Sequence, residues 1–467
     1  MRRSPTTRSA PDSEALSPTR WMTTIGAVLV FLALGSAPAA AQGHGDQALE
    51  PRGSENIEVL SHVPLGARLS IADIELEQEV GRPFAYVARM QYGEQGQKGT
   101  DIVSVADPEN AEVIYRWRIE NQELHDRTGG MDVKYFRWDG RYYVVQSLQF
   151  GQGGPNHDLG AVLLDVTSLP DTSGVEEAAR IRAPETPGGF HNIFVYKHSN
   201  GRVYLFATVS GPYANVYDLG RAVEGDVENA LVAQVPVPGA EEQGAFRGYH
   251  DFYVGYHPPS GTDRFYGGGT GGYYVYDITD LQQPEQLVSL TGISGVRGGH
   301  TFTPGPNGRY AVAETEYQYA PLRIFDMQPA LDGEVENISS PISAWTANWR
   351  NLAHNHEVRW PLVFVSGYED GLQVFSMEDP EHPKTVAWYD TYLGPHKTGG
   401  CGDRVCNGAF GVDVRNEDGL IVISDMVTGF WAFRMEGFQG WDGDDWGVPD
   451  VSSAQKWETG PAASGGN

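Results

Sequence analysis

Short runs of alternating apolar and polar residues occur along most of the chain and are rich in β-branched and aromatic side chains. Examples are residues 202–207 and 362–365, and Gly, Pro, Asn and Asp separate such runs. This pattern is typical of strands joined by tight turns. One signature, apolar and aromatic residues often ending in Asp, recurs and predicts an all-β fold made of repeated units. Its seven copies are Ile102–Val105, Val162–Asp165, Asn215–Asp218, Tyr274–Asp277, Arg323–Asp326, Gln373–Ser376 and Trp431–Arg434.

The repeat predicts a seven-bladed β-propeller, because about four strands fit around each copy of the signature. Residues Ile57–Val63 resemble the outer strand of a blade, yet they come before the first repeat. We expect this N-terminal strand to complete the last blade and close the ring, which removes an open sheet edge. Six or eight blades are the alternatives.

The first residues predict export. Basic residues precede the apolar run Ile25–Leu34, and the small residues Ala37–Ala41 follow it, as in a secretory signal peptide. A membrane anchor is the alternative, but the run is short for a span. We therefore expect a periplasmic, secreted or cell-surface protein with no transmembrane segment in the mature chain. The predicted divisions are a signal peptide (1–41), a flexible N-terminus (42–54), the propeller (55–437) and a disordered acidic, Gly-rich tail (438–467).

The charge balance limits the partners. The chain has 61 Asp and Glu residues against 33 Lys and Arg residues, for a net charge of −28. Such a surface repels polyanions, so neither nucleic acid nor an anionic membrane is expected to bind it.

Four histidines recur at the start of strand-like runs. His191, His250, His300 and His354 follow one another at intervals of 59, 50 and 54 residues. Equivalent positions in a ring of blades lie at one height around the axis, so the four imidazoles should converge. Neutral imidazole is the commonest ligand of transition metals, and the pattern predicts a Cu, Fe or Zn site. His356 lies two residues after His354, on the same side of its strand, and is a further candidate ligand.

Two acidic residues are candidates to orient these imidazoles. Asp251 directly follows His250, and Glu357 directly follows His356. Carboxylates often accept the second ring N–H of a metal-bound histidine. The alternative is that the histidines bond backbone carbonyls of a neighbouring blade and hold no metal.

Three arginines precede the histidines by three or four residues: Arg247, Arg297 and Arg350. A guanidinium group binds carboxylate or phosphate through two parallel hydrogen bonds, so a small anion is a candidate ligand at the same mouth. Pairing with neighbouring Asp and Glu side chains is the alternative.

The two cysteines, Cys401 and Cys406, are close in sequence. In an oxidising compartment such a pair is expected to form a local disulfide. A copper site formed with His396 is the alternative.

Several of these stretches resemble the LVIVD-repeat proteins, in particular the choice-of-anchor B group. The resemblance covers most of residues 69–435 and implies a secreted or surface β-propeller whose biochemical role is undefined. The stretches that carry it include His191–Ile193, His250–Asp251, His300–Thr301, His354–Asn355 and Gly371–Pro380.

The sequence thus predicts an exported propeller that binds a transition metal, and a small anion, at a His-lined central mouth. One alternative is a metal-dependent oxidoreductase, hydrolase or lyase using that site, for which no catalytic residue is assigned. Another is a surface scaffold that binds a partner and whose histidines are structural. The sequence contains no P-loop and no Gly-x-Ser-x-Gly elbow.

Overall fold

A computed structural model describes most of the chain within one compact unit. The predicted signal peptide, Arg350, Cys401 and Cys406 lie outside the described residues. The described ranges are 52–91, 96–124, 128–150, 153–240, 247–349, 351–392, 407–443 and 455–461.

These ranges contain 28 strands and a few short helices. The strands are β1 (Ile57–Val63), β2 (Ile71–Leu76), β3 (Phe84–Gln91), β4 (Gly99–Ser104), β5 (Glu112–Arg118), β6 (Thr128–Trp138), β7 (Arg141–Gln149), β8 (Leu159–Asp165), β9 (Glu176–Arg182), β10 (Ile193–Lys197), β11 (Val203–Thr208), β12 (Tyr213–Asp218), β13 (Leu231–Pro236), β14 (Tyr249–His257), β15 (Thr262–Gly269), β16 (Gly272–Asp277), β17 (Glu285–Thr291), β18 (Phe302–Pro304), β19 (Tyr310–Ala313), β20 (Leu322–Asp326), β21 (Ser343–Trp345), β22 (Asn355–Arg359), β23 (Leu362–Ser366), β24 (Leu372–Ser376), β25 (Lys384–Tyr389), β26 (Ala409–Val414), β27 (Ile421–Asp425) and β28 (Gly429–Met435). The α-helices are α1 (Leu219–Val223) and α2 (Gln328–Leu331), and 3-10 turns occupy Pro108–Asn110, Gln122–Leu124, Thr172–Gly174, Val227–Asn229 and Pro306–Gly308.

The strands pair antiparallel with their neighbours in the chain. Strands β10–β13, β14–β17, β18–β21 and β22–β25 form four separate four-stranded sheets. Strands β2–β5 and β6–β9 form two similar groups, which bonds between β3 and β6 join into one sheet of eight strands. The all-β prediction is confirmed, and the seven predicted signatures coincide with every fourth strand from β4 to β28.

The first strand of the chain completes the last sheet. Strand β1 pairs antiparallel with β28, so that Ile57 lies opposite Met435 and Val63 lies opposite Phe430. The predicted association of the N-terminal strand with the last repeat is therefore present. It covers the edge of β28 that would otherwise expose unpaired backbone groups.

Neighbouring groups of strands pack through aromatic side chains. The rings of Phe194 and Tyr253 lie 5.3 Å apart, and those of Trp345 and Phe375 lie 4.5 Å apart. Each pair joins strands of two successive sheets, and such contacts add to the burial of apolar surface.

The leading strands of the seven groups are neighbours. Strands β2, β6, β10, β14, β18, β22 and β26 contact one another in this order, and β26 also contacts β2. Their side chains enclose a cavity of about 50 Å³, whose lining includes Asp73, Asp132, Lys134, Asp251 and His356. Lys134 Nζ lies 2.7 Å from Asp132, so part of the acidic lining is neutralised from within.

Two segments of the predicted tail are packed. Trp441 donates a hydrogen bond of 2.9 Å to the carbonyl of Trp360. Gln455 donates one of 2.7 Å to the carbonyl of Val195 in β10, and Trp457 is buried. The prediction of a disordered tail is therefore wrong for residues 438–443 and 455–461, because buried aromatic and amide groups hold them to the sheets. No helix in the described ranges is long and apolar enough to cross a membrane.

Candidate metal centre

The hairpins position the predicted histidines at equivalent places. His191 and His300 lie two residues before strands β10 and β18, His354 directly precedes β22, and His250 is the second residue of β14. The backbone N–H of His300 donates to the carbonyl of Glu314 at 2.9 Å, and that of His354 donates to Ser366 at 2.9 Å. These bonds fix the start of one strand to the end of the next strand in the same sheet. Each histidine side chain is therefore held at the same end of its sheet.

The structure brings the four histidines together. Ring centroids lie 4.5 Å apart for His191 and His250, 4.1 Å for His250 and His300, and 5.2 Å for His300 and His354. Side chains that are 50 or more residues apart in sequence therefore form one continuous row of imidazoles.

Two of these rings are oriented through Nδ1. His354 Nδ1 lies 2.7 Å from the backbone carbonyl of Phe410, which can only accept a hydrogen bond. His191 Nδ1 is bonded to the side-chain carbonyl of Gln149. In both rings Nδ1 therefore carries the hydrogen, and Nε2 of the neutral ring presents a lone pair. Metal-binding histidines are commonly oriented in this way.

His300 is surrounded by acids. Its Nδ1 lies 2.9 Å from a carboxylate oxygen of Glu314 and 3.0 Å from the hydroxyl of Thr301. Burial opposes the positive charge of His300, but Glu314, Glu316 and Asp251 together raise its pKa to about 9. Burial also raises the pKa of Glu314 to about 7, against the effect of His300.

The other three histidines of the row are neutral at pH 7. Burial lowers the pKa of His191, His250 and His354 well below 6.5, and the charge on His300 adds to this effect. Neutral imidazoles are the form that binds metal, so no proton has to be displaced from these rings.

The Nε2 atoms and Glu316 meet in one small volume. His191 Nε2 lies 3.1 Å from His250 Nε2, and His300 Nε2 lies 3.6 Å from Glu316 Oε2. One ligand atom from each of His250, His300 and Glu316 falls within 4.8 Å of the other two. Tyr368 donates a hydrogen bond to the other oxygen of Glu316. Ligands around a tetrahedral ion bound at 2.0–2.1 Å are about 3.3 Å apart, so these separations are close to those of a metal site.

The other predicted residues occupy different positions. His356 does not join the row of imidazoles but lines the 50 Å³ cavity, where burial lowers its pKa to about 3. Asp251 accepts a hydrogen bond of 3.1 Å from Thr301, whose hydroxyl lies between this carboxylate and His300. Glu357 lies 2.8 Å from Arg359 and orients that side chain rather than an imidazole.

The predicted anion-binding arginines differ in position. Arg247 lies close enough to His191 and His250 for its charge to contribute to the lowered pKa of both. Arg297 is exposed, and Arg350 lies outside the described residues, as do Cys401 and Cys406 of the predicted disulfide.

The sequence reasoning missed four residues that contact the histidines: Gln149, Glu314, Glu316 and Tyr368. The sequence contains a signal for two of them, Glu314 and Glu316. Strand β19 pairs with β18, which follows His300, so the residues just after β19 must lie beside that histidine. Glu314 and Glu316 are those residues, and their alternation puts both carboxylates near one ring.

Comparison with known proteins gives no family assignment. No known family profile matches the chain, and no curated protein is significantly similar to it.

Proposed function

We propose that the chain is an exported β-propeller of the LVIVD-repeat type that binds a first-row transition metal at the mouth of its axis. The ligands are His250, His300 and Glu316, with His191 as a fourth. The metal is Cu, Fe or Zn, because imidazole and carboxylate ligands suit these ions.

The arrangement of the strands supports the propeller. Seven groups of four antiparallel strands follow one another, and β1 completes the last of them. The leading strands are neighbours in a continuous cycle from β2 to β26 and back to β2. Seven blades around one axis explain this connectivity, and the same axis explains why the histidines meet.

The observation that carries the metal proposal is the shared orientation of the rings. Nδ1 of His191, His300 and His354 each faces an acceptor outside the row. Hydrogen bonds to the backbone alone would account for the orientation of His354. They would not account for the approach of His191 Nε2 to His250 Nε2 at 3.1 Å. His250 Nδ1 is buried and has no hydrogen-bond partner within the described ranges. A metal between the Nε2 atoms would use the lone pair of each ring and leave Nδ1 of His250 free to carry the hydrogen.

A metal-dependent enzyme is the second candidate, and the exposure of Glu316 favours it. The side chain of Glu316 is 29% exposed, whereas that of His300 is 3% exposed. An ion held by these groups would face solvent on one side. Three protein ligands with an open position are typical of catalytic zinc sites, whereas structural sites are closed.

The metal proposal is tested by elemental analysis of protein purified without an affinity tag. We expect about one equivalent of metal in the wild type and in His382→Ala, since His382 is an exposed histidine in the turn between β24 and β25, at the end of the sheet opposite to His354. His250→Ala and His300→Ala should each lose most of this metal, because each removes one of the proposed ligands. Equal metal content in all four proteins, or none in the wild type, would leave a scaffold with structural histidines.

The enzyme candidate is tested separately by cobalt substitution. A visible spectrum that changes on addition of azide or cyanide would indicate an exchangeable position on the ion. An unchanged spectrum would indicate a closed site and exclude catalysis at the metal.

A further inference from the structure

Three aromatic side chains are exposed near the candidate metal centre. Tyr317, Tyr319 and Trp349 are 41%, 51% and 56% exposed. The rings of Tyr319 and Trp349 lie 6.3 Å apart at an angle of 49°. We call these three residues the aromatic rim. Exposed aromatic residues that are grouped, rather than scattered, commonly mark a binding site.

The aromatic rim is continuous with the metal ligands. Tyr317 directly follows Glu316, whose Oε2 lies 3.6 Å from His300 Nε2. The hydroxyl of Tyr317 donates to the carbonyl of Gly298 at 3.4 Å, in the loop that leads to His300. Trp349 lies in the loop between β21 and β22, which leads to His354. The rim and the row of imidazoles therefore share one end of the sheets.

The backbone here is strained. Tyr319 has φ of 63° and Tyr368, which bonds Glu316, has φ of 44°. A bulky residue rarely adopts positive φ, and such strain concentrates at binding sites and active sites. The Tyr319 ring stays half exposed, so little apolar burial compensates for this conformation.

Positively charged side chains lie near the aromatic rim, although the protein as a whole is strongly acidic. Arg297 is exposed and directly precedes Gly298, and no carboxylate among the described residues forms an ion pair with it. Arg247 lies near His191 and His250 on the same mouth. In a chain with a net charge of −28, an exposed arginine in the loop that contacts the rim and a second arginine near the histidines favour an anion at this end of the sheets.

We propose that the mouth binds a planar aromatic carboxylate. The aromatic ring stacks on the aromatic rim, and the carboxylate faces Arg297 and the metal. A neutral aromatic ligand would form no ion pair with Arg297, and a small inorganic anion would not stack on the aromatic rim. This inference deepens the proposed function, since it names the ligand class of the same site.

Calorimetric titration of the metal-loaded protein tests the ligand class with three probes of similar size. Benzoate carries both features, cyclohexanecarboxylate keeps the charge but has no planar ring, and benzamide keeps the ring but has no charge. We expect benzoate to bind once per chain, cyclohexanecarboxylate at least about threefold more weakly and benzamide at least about tenfold more weakly. Equal affinity for two or more probes, or no binding of benzoate at millimolar concentration, would overturn the proposal.

Substitutions locate the site. Trp349→Ala should weaken benzoate at least about threefold, and Arg297→Gln at least about tenfold. The matched controls are Leu231→Ala, which removes an exposed apolar side chain elsewhere, and Arg434→Gln, which removes an exposed arginine beside Glu58. Both controls should bind benzoate as the wild type does. Benzoate affinity that is unchanged by Trp349→Ala would place the ligand elsewhere.

Metal content measured in the same samples separates the two proposals. Trp349 and Arg297 are not metal ligands, so both variants should retain the metal while they lose benzoate. A protein that holds metal but not benzoate refutes only the ligand class. A protein that binds benzoate but contains no metal refutes only the metal centre.

Discussion

Glu314→Gln tests whether an acid controls the protonation of His300. Glu314 is 1% exposed, and its carboxylate lies 2.9 Å from His300 Nδ1. Glutamine has nearly the same shape but no charge, so the substitution removes the ion pair and leaves the packing in place.

The magnitude follows from the pKa of His300. In the folded protein the pKa is raised from 6.5 to about 9, so the folded state holds this proton more tightly than the unfolded state. The stabilisation is complete below pH 6.5, where it amounts to about 3 kcal/mol, and it disappears as the pH rises through 9. About 2 kcal/mol of it should be lost between pH 7 and pH 9. Glu314 itself has a pKa of about 7 and contributes little to this interval.

The assay is unfolding by urea of the metal-free protein at pH 7 and at pH 9. The wild type should lose about 2 kcal/mol more between the two pH values than Glu314→Gln, because other titrating groups are common to both proteins. Glu334→Gln removes an exposed carboxylate and is the matched control, which should behave as the wild type. An equal loss in the wild type and in Glu314→Gln would refute the assignment of the raised pKa to this ion pair.

Three further predictions concern the fold that positions the site. Lys134→Met leaves Asp132 unpaired in the cavity and should lower the free energy of unfolding by about 3 kcal/mol at pH 7 in urea titrations; a change below about 1 kcal/mol would contradict it. Gly268→Ala should lower both stability and metal content, because its Cβ would lie 1.8 Å from the carbonyl oxygen of His300, whereas Gly81→Ala meets no neighbour and should be neutral in thermal unfolding. Deleting β1 should expose the edge of β28 and cause aggregation that increases with protein concentration in light scattering; a monodisperse, equally stable product would show that closure is unnecessary.

Much of the fold could be predicted because strand patterns are local. Ile57–Val63 is the observed β1, and its alternation and early position were enough to predict its pairing with the last repeat. The short hydrophobic signatures also coincide with strands. The packed segment around Trp457 could not be predicted, because its acidic, Gly-rich surroundings are typical of disorder and its contacts with β10 are made only in the folded protein.

The histidines of the site could be predicted, but Gln149 and Tyr368, which contact them, could not. The four mouth histidines share a repeat position, which the sequence displays directly. Tyr368 follows no repeat, so only the fold brings it beside His354 and Glu316. Alternation puts His356 on the same side of its strand as His354, yet it lies deeper, in the cavity. A step of two residues moves a side chain about 7 Å along the strand, which is far enough to take His356 out of the row.

X-ray absorption at the edge of the metal that copurifies with the full chain tests the metal centre most directly. The account predicts nitrogen and oxygen neighbours at about 2.0–2.1 Å, with the outer-shell scattering of at least two imidazoles and no sulfur, since the ligands are His250, His300 and Glu316. A sulfur neighbour at about 2.3 Å would instead indicate the cysteines, and it would contradict the histidine-lined centre.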